Sequence, residues 1–191
     1  ITIIGKEVIV VFFRGKYAFL SNMYECPVTV KMGDNVYTFK CAEAAYQACK
    51  CSGNFTDFVD LDGREAKKLS KTLPIQSDWD ELKFGFMYAI VKAKFEQNKF
   101  LKLRLKAIEG DIVEENTWWD TYWGVCEGVG ENNLGKILMD LRDYYNPFYC
   151  LVVGSRNFND YTQMCSVLDC VLQYRKYVFI VTGDARGADE L

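Results

Sequence analysis

Residues 118–142, WWDTYWGVCEGVGENNLGKILMDLR, limit the fold more than any other stretch of this chain. Trp118, Trp119 and Trp123 flank Asp120, and Gly124, Gly128 and Gly130 follow in a loop. The segment then closes with Leu134, Ile137, Leu138 and Leu141 at i, i+3, i+4 and i+7, one apolar face at helical spacing. Flat aromatic faces beside a carboxylate, a flexible turn and a helix N-terminus suit a polar, ring-containing, phosphorylated ligand. A tryptophan-rich core with a glycine loop between two helices satisfies the same pattern, and chemistry alone leaves both readings open.

The 191-residue chain has no histidine. This removes Ser-His-Asp and Cys-His nucleophile systems and histidine-ligated metals, so acid–base chemistry falls to carboxylates, lysine, tyrosine or cysteine. The eight cysteines show no C-x-x-C spacing, which argues against zinc; they read as reduced thiols, mostly buried as small apolar residues. No metal and no cofactor is expected. A net charge of −3 supplies no broad electrostatic footprint for nucleic acid. The N-terminal run ITIIGKEVIVVFF carries Lys6 and Glu7 among its apolar residues and reads as strands rather than a signal peptide. No stretch approaches the roughly 20 apolar residues that span a bilayer, so a soluble, cytoplasmic protein without a membrane partner is expected.

Residues 7–13 read as a strand. Val28, Val30 and Met32 alternate with polar residues, Gly33-Asp34-Asn35 supplies turn chemistry and residues 36–39 return, which predicts a hairpin. Between them, Phe19-Leu20-Ser21-Asn22 favours a loop; Asn22 either caps a turn or reads a base or ribose edge. The alanines of 42–51 predict a closely packed helix with Cys41 as a poor N-cap. Glu43, Gln47 and Lys50 share one face of it, a solvated face in an isolated helix. Residues 63–70 read as a charged surface, and residues 82–95, with rows Leu82/Phe86/Ile90 and Met87/Val91/Phe95, as a strongly amphipathic helix whose Met and Phe side chains are core. Leu101, Leu105 and Ile108 continue a shorter helix closed by Gly110, and residues 111–116 lead back to the tryptophans.

The character changes at Asn146-Pro147. An apolar run at 148–153, the loop Gly154-Ser155-Arg156, a helical spacing of Val167, Leu168, Val171 and Leu172, a second apolar run at 178–181 and the loop from Gly183 through Arg186 and Gly187 form the start of a parallel βαβ unit. Two strands and one helix bury too little surface to stand alone. This tail is expected to dock on the first domain or to be poorly ordered, never to form a complete Rossmann sheet.

Four blocks, in order over residues 11–145, resemble the NADAR (YbiA-like) family. They are Phe13, Gly15, Tyr17 with Phe19-Leu20-Ser21-Asn22; residues 42–50, AEAAYQACK; Ala66-Lys67, Asp78-Trp79, Met87 and Lys94-Phe95; and Asp120, Trp123-Gly124, Asn133-Leu134-Gly135, Leu138-Met139 and Arg142. The tail loops VVGSRNFND and VTGDARGADEL resemble those of the SLOG (YpsA-related) nucleotide-binding superfamily. These resemblances imply an α+β fold: a mainly helical NADAR domain over 1–146 with a small antiparallel β element, then an incomplete Rossmann-like βαβ tail over 147–191. They imply a hydrolase of N-glycosidic bonds, with ADP-ribosyl-guanine or an NAD-derived compound favoured as substrate. Ribosylaminopyrimidine phosphates of the riboflavin pathway are the alternative, as is a non-catalytic ADP-ribose or NAD-derived nucleotide sensor. Its partners would then be an ADP-ribose-type or phosphorylated ribosyl-base ligand and ADP-ribosylated nucleic acid.

Glu43, Lys50 and Asp120 are the expected catalytic residues. Lys50 serves as Schiff-base nucleophile, with Glu43 taking its proton, or as an electrostatic partner; Lys67 is the fallback amine. Substrate contacts are expected from Phe19, Ser21, Asn22, Gln47, Trp119, Trp123 and Gly124, and from Asn133 at a phosphate-binding helix N-terminus. Gly154, Ser155, Arg156, Gly183, Arg186 and Gly187 would form a second nucleotide site.

Overall fold

A computed structural model describes residues 9–51, 55–183 and 186–188, and divides the chain into a unit ending at Leu141 and a second from Arg142 onward. The expected strands at 1–8 lie outside the described residues. In the first unit, β1 (Val10–Phe12) pairs in parallel with β4 (Asp111–Val113), and β2 (Val28–Met32) pairs antiparallel with β3 (Asn35–Phe39). The hairpin was legible from alternation; Gly33 and Asp34 form its two-residue turn, Gly33 taking φ +61 where a side chain is disfavoured, while Asn35 already belongs to the returning strand. The parallel pair was not, because Val10 and its partner Asp111 are separated by most of the unit.

Around these strands lie α1 (Ala42–Lys50), α2 (Gly63–Ser70), α3 (Trp79–Gln97), α4 (Lys99–Lys106) and α5 (Asn133–Tyr145). Helix α1 runs through the interior: every residue from Ala42 to Cys49 is buried. Its alanines allow α2, α3 and the hairpin to approach closely from several sides, so the face expected in solvent is enclosed. Cys41 makes no side-chain cap, and instead the Asn22 carbonyl accepts the Glu43 N–H at 3.0 Å. Leu134, Ile137, Leu138 and Leu141 of α5 are all buried, so the helical spacing that opened the sequence reading points into the core.

Two corrections concern the segments facing α1. Of residues 19–22, expected as a loop, Ser21 and Asn22 lie in a turn, whereas Phe19 and Leu20 end a 3-10 helix (Gly15–Leu20), because both are core and draw the backbone inward. Helix α3 is less cleanly amphipathic than its spacing suggests: Leu82 is exposed and Phe86 half-buried, while Lys94 is wholly buried. The Lys94 Nζ donates to the Phe19 carbonyl at 2.7 Å and the Ser21 carbonyl at 2.8 Å, and among the described residues no carboxylate pairs with it. Burial therefore dominates and holds its pKa down at about 8. The all-free cysteines behave as the composition implied: five are buried, and desolvation raises Cys49 to about 12 and drives Cys26, Cys41 and Cys51 upward.

The second unit contains β5 (Phe148–Val152), α6 (Tyr161–Leu172) and β6 (Val178–Thr182), with β5 and β6 parallel. The Asp160 side chain caps α6 by accepting the Gln163 N–H at 2.8 Å. No α6 residue is buried, and Val167, Leu151 and Val181 are exposed. The two glycine loops meet: a side chain at Gly154 would collide with Ala188, and one at Gly187 with the Ser155 and Arg156 backbone. Gly154, Ser155, Arg156, Gly183 and Arg186 are exposed beside this contact.

Lys94 ties α3 to the turn that carries Ser21 and Asn22. Replacing it with Met keeps the stem volume but leaves the buried Phe19 carbonyl unpaired and Ser21's carbonyl with the Tyr24 N–H alone, which should cost on the order of 2 kcal/mol. Urea denaturation of K94M is expected to show a lower midpoint with an unchanged slope.

Candidate active site

A cavity of about 610 Å³ lies beside the enclosed α1, and its wall is unusually rich in ionisable groups. Helix α1 contributes Glu43, Tyr46, Gln47 and Lys50; the turn before it contributes Ser21 and Asn22; α2 contributes Lys67; and the loop before α5 contributes Trp118, Asp120, Tyr122 and Trp123. Seven residues expected at the site therefore converge: Ser21, Asn22, Glu43, Gln47, Lys50, Asp120 and Trp123. Helix α2 is more than surface. Its Asp62 N-cap accepts the Arg64 and Glu65 N–H groups in a capping box, which sets the register that turns Lys67 inward.

Glu43 is buried, and its Oε1 accepts from Gln47 Nε2 at 2.8 Å and faces Lys67 Nζ at 3.5 Å. Lys50 is seven residues along α1 from Glu43, about 10 Å of helical rise, and Gln47 stands between them. The expected Glu43–Lys50 pair is thus replaced by Glu43–Lys67. Lys50 has no ion pair among the described residues.

The loop carrying Asp120 is organised by a residue that sequence reasoning passed over. Asn116 is buried; its Oδ1 accepts from the Trp118 and Asp120 N–H groups, and its Nδ2 donates to the Asp120 carbonyl at 2.8 Å. Asp120 Oδ1 in turn accepts the Trp123 N–H at 2.9 Å, fixing carboxylate and indole together. Trp123 meets Tyr46 edge-on at 5.7 Å and stacks on Phe84 at 6.4 Å, while Tyr46 leans on Trp79 at 5.0 Å. Burial raises the Tyr46 phenol and keeps it neutral. Two α3 side chains also line the cavity, Met87, expected as core alone, and Trp79.

Four expected contacts are absent from the cavity wall. Phe19 is core, edge-on to Phe95 at 6.3 Å. Trp119 takes φ 60, which turns it away, and the neighbouring Trp118 lines the cavity instead. Gly124 serves packing: a side chain there would meet the Glu114 carbonyl. Asn133 donates to Glu131 at 2.9 Å, and the first α5 amides are already used, Asn133 N–H by the Tyr122 carbonyl and Leu134 N–H by that of Trp123. That helix N-terminus is spent on the tryptophan loop and is not a phosphate cradle.

Glu114 lines the cavity and was not among the residues expected there. It stands just past β4, and desolvation, followed by the Asp120 and Glu43 charges, pushes its pKa up to about 7 against the pull of Lys67. Its position in an apolar-to-charged connector, DIVEEN, carried no periodic signal. Three cavity-lining acceptors, Asn22 Oδ1, Gln47 Oε1 and Glu114 Oε2, are buried without a hydrogen-bond partner. Among the described residues no cluster of acidic or thiol groups is arranged to hold a metal, and no helix is long and apolar enough to cross a membrane.

Comparison with known proteins agrees with this architecture. The chain is 37% identical over 82 residues to the N-glycosidase YbiA of Escherichia coli, covering 42% of this chain and 48% of that protein. It is 38% identical over 72 residues to the chloroplastic riboflavin biosynthesis protein PYRR of Arabidopsis thaliana, covering 37% of this chain and 12% of that one. The matched region thus spans about half the length, or less, of these curated relatives. The NMR structure of E. coli YbiA superposes with a TM-score of 0.63 at 25% identity, covering 75% of this chain and 88% of the other. The NADAR domain model matches residues 11–145, most of the chain and all of the cavity wall, and the protein belongs to the NADAR family.

Proposed function

We propose that the first unit is an N-glycosidase that releases a nucleobase-like amine from a ribosyl or ADP-ribosyl group. The observation that carries this reading is the set of three buried, unpartnered acceptor oxygens in a cavity that also holds Glu43 and Asp120. Buried polar atoms without partners are rare in folded proteins and call for a ligand that donates to them. Amines and ribose hydroxyls are such donors, and the Trp118 and Trp123 faces suit the ring that carries them. Breaking the bond develops positive charge at the anomeric carbon, which the Glu43 and Asp120 carboxylates oppose at short range. The relatives, an N-glycosidase and a riboflavin biosynthesis protein by name, fit the same chemistry. An ADP-ribosyl-guanine or NAD-derived substrate is favoured over a ribosylaminopyrimidine phosphate. The tail's paired glycine loops, at the C-terminal ends of two parallel strands, are where a further nucleotide would sit.

Because Glu43 is satisfied by Lys67 and Gln47, it does not hold the Lys50 ammonium in an ion pair, and Lys50 is the amine left to attack an opened sugar aldehyde. Borohydride added during turnover is expected to leave a reduced sugar adduct on Lys50 by peptide mapping. An adduct on Lys67, or none, would assign Lys50 to charge alone.

A pure nucleotide sensor needs the cavity but not its carboxylates. E43Q is expected to keep ligand-induced thermal stabilisation while base release from ADP-ribosylated guanine DNA or a ribosylaminopyrimidine phosphate falls at least about 100-fold. Equal release by E43Q would favour the sensor. The two neighbouring indoles should separate cleanly: W118A raises KM about tenfold through lost stacking, whereas W119A leaves KM within about twofold of wild type.

A further inference from the structure

The three carboxylates of the cavity are not equivalent. Glu43 Oε1 accepts from an amide and faces an ammonium, and Asp120 Oδ1 accepts a backbone N–H. Each of these oxygens has a hydrogen-bond donor of its own. Glu114 Oε2 has none. Its backbone is nevertheless held on both sides, the N–H donating to Asn132 Oδ1 at 3.0 Å and the carbonyl accepting from Val125 at 2.8 Å. Gly124 makes that close approach feasible, since a side chain there would strike the Glu114 carbonyl. The result is a carboxyl group set firmly in the cavity wall with no donor to stabilise its anion.

The charged groups facing Glu114 are Asp120 from the tryptophan loop, Glu43 from α1 and Lys67 from α2. Two negative charges oppose one positive charge, and that positive charge is already 3.5 Å from Glu43. The cation that faces Glu114 is therefore shared with Glu43, and the buried oxygen of a third anion has no hydrogen-bond donor beside it. A carboxylic acid, in contrast, turns the unpartnered oxygen into a donor, the one cavity group of the three that can release a proton.

We propose that Glu114 is the proton donor to the departing nitrogen, a catalytic role separate from those of Glu43 and Asp120. This rests on the N-glycosidase reading and deepens it. As the C1′–N bond breaks, its electron pair moves to nitrogen and the Glu114 O–H proton follows to that nitrogen. Water, directly or after a Lys50 imine, supplies the hydroxyl that replaces nitrogen at C1′, and its remaining proton returns Glu114 to the acid. The net reaction adds one water across one bond and needs no redox partner. Glu114 keeps this proton below pH about 7 and loses it above, so base release falls as pH rises through that value.

The test compares two substrates that differ only in how much the leaving group needs a proton: a ribosylaminopyrimidine phosphate and its ring-nitrated analogue. In wild type, kcat/KM for the first should fall above pH about 7, while the nitrated compound shows a much shallower fall. Glu114→Gln is expected to slow the first substrate at least about 100-fold, to slow the nitrated one less than about tenfold, and to abolish the alkaline limb. Should the amide variant not fold, Glu114→Asp, which keeps an acid, is expected to retain the limb at reduced rate. Equal losses on both substrates with the limb intact, or a wild-type leaving-group dependence that ignores pH, would overturn the assignment while leaving the glycosidase reading in place. Failure of wild type to cleave either compound and to release base from ADP-ribosylated guanine DNA would remove that reading and Glu114's role with it.

Discussion

A carboxylate on a fully enclosed helix must find a cation, hydrogen-bond donors or a proton, and Glu43 imposes that condition on everything around it. Helix α1 is buried along nearly its whole length, so water cannot satisfy the charge. Lys67 reaches in from α2 and Gln47 reaches up one turn of α1. Both are used on a single oxygen, so the cation that faces Glu114 is shared with Glu43. Glu114, which shares the cavity, is left with like charges and desolvation and holds its proton towards neutral pH. The contrast between Glu43 and Glu114 follows from where the Lys67 ammonium sits.

Without histidine, this economy of carboxylates is the available route to a group that titrates near neutrality. The remedy found here is general: surround one acid with others and dry it. The Asn116 network performs the complementary task of keeping Asp120 an acceptor, because its backbone and side chain are both bound within the loop. Trp123 is fixed by the same bond, so the aromatic wall and the acid cannot shift independently. Buried networks of this kind hold geometry only when each member is satisfied. The three acceptors left open in the cavity are therefore informative.

Much of this was legible in the residues, for reasons that can be named. Periodic signals worked where one periodic face meets one core, as for Leu134, Ile137, Leu138 and Leu141, and where alternation meets a turn, as for the 28–39 hairpin. Glu43, Gln47 and Lys50 were identified as a face, but whether that face meets water or a cavity depends on α2 and α3, which no local pattern encodes. The same limit hid the parallel pairing of β1 with β4. Trp119 was preferred over Trp118 because nothing in the dipeptide reveals that the backbone turns left-handed at the second indole. Asn133 looked like an anion site because a helix start is visible in sequence, whereas the carbonyls of Tyr122 and Trp123 that occupy its amides are not.

Lys94 shows how a non-periodic residue can govern a site from outside it. A fully buried lysine held by carbonyls alone is costly, and its lowered pKa records that cost. What it secures is the turn from Phe19 to Ser21, whose next residue, Asn22, supplies both the carbonyl that starts α1 and an amide on the cavity wall. The two N–H bonds that Lys94 donates match the two protons a neutral amine retains. Loss of its charge at alkaline pH therefore need not release the turn. Because the folded pKa lies below that of a free lysine, the unfolded chain binds the extra proton more tightly between about 8 and the ordinary lysine value. Raising the pH through that window relieves the burial cost and favours the folded state, opposite in sense to the loss of Glu114's proton. A fall in turnover through pH about 7 would then report the chemistry proposed for Glu114, since the titration of Lys94 at higher pH acts on stability in the opposite sense.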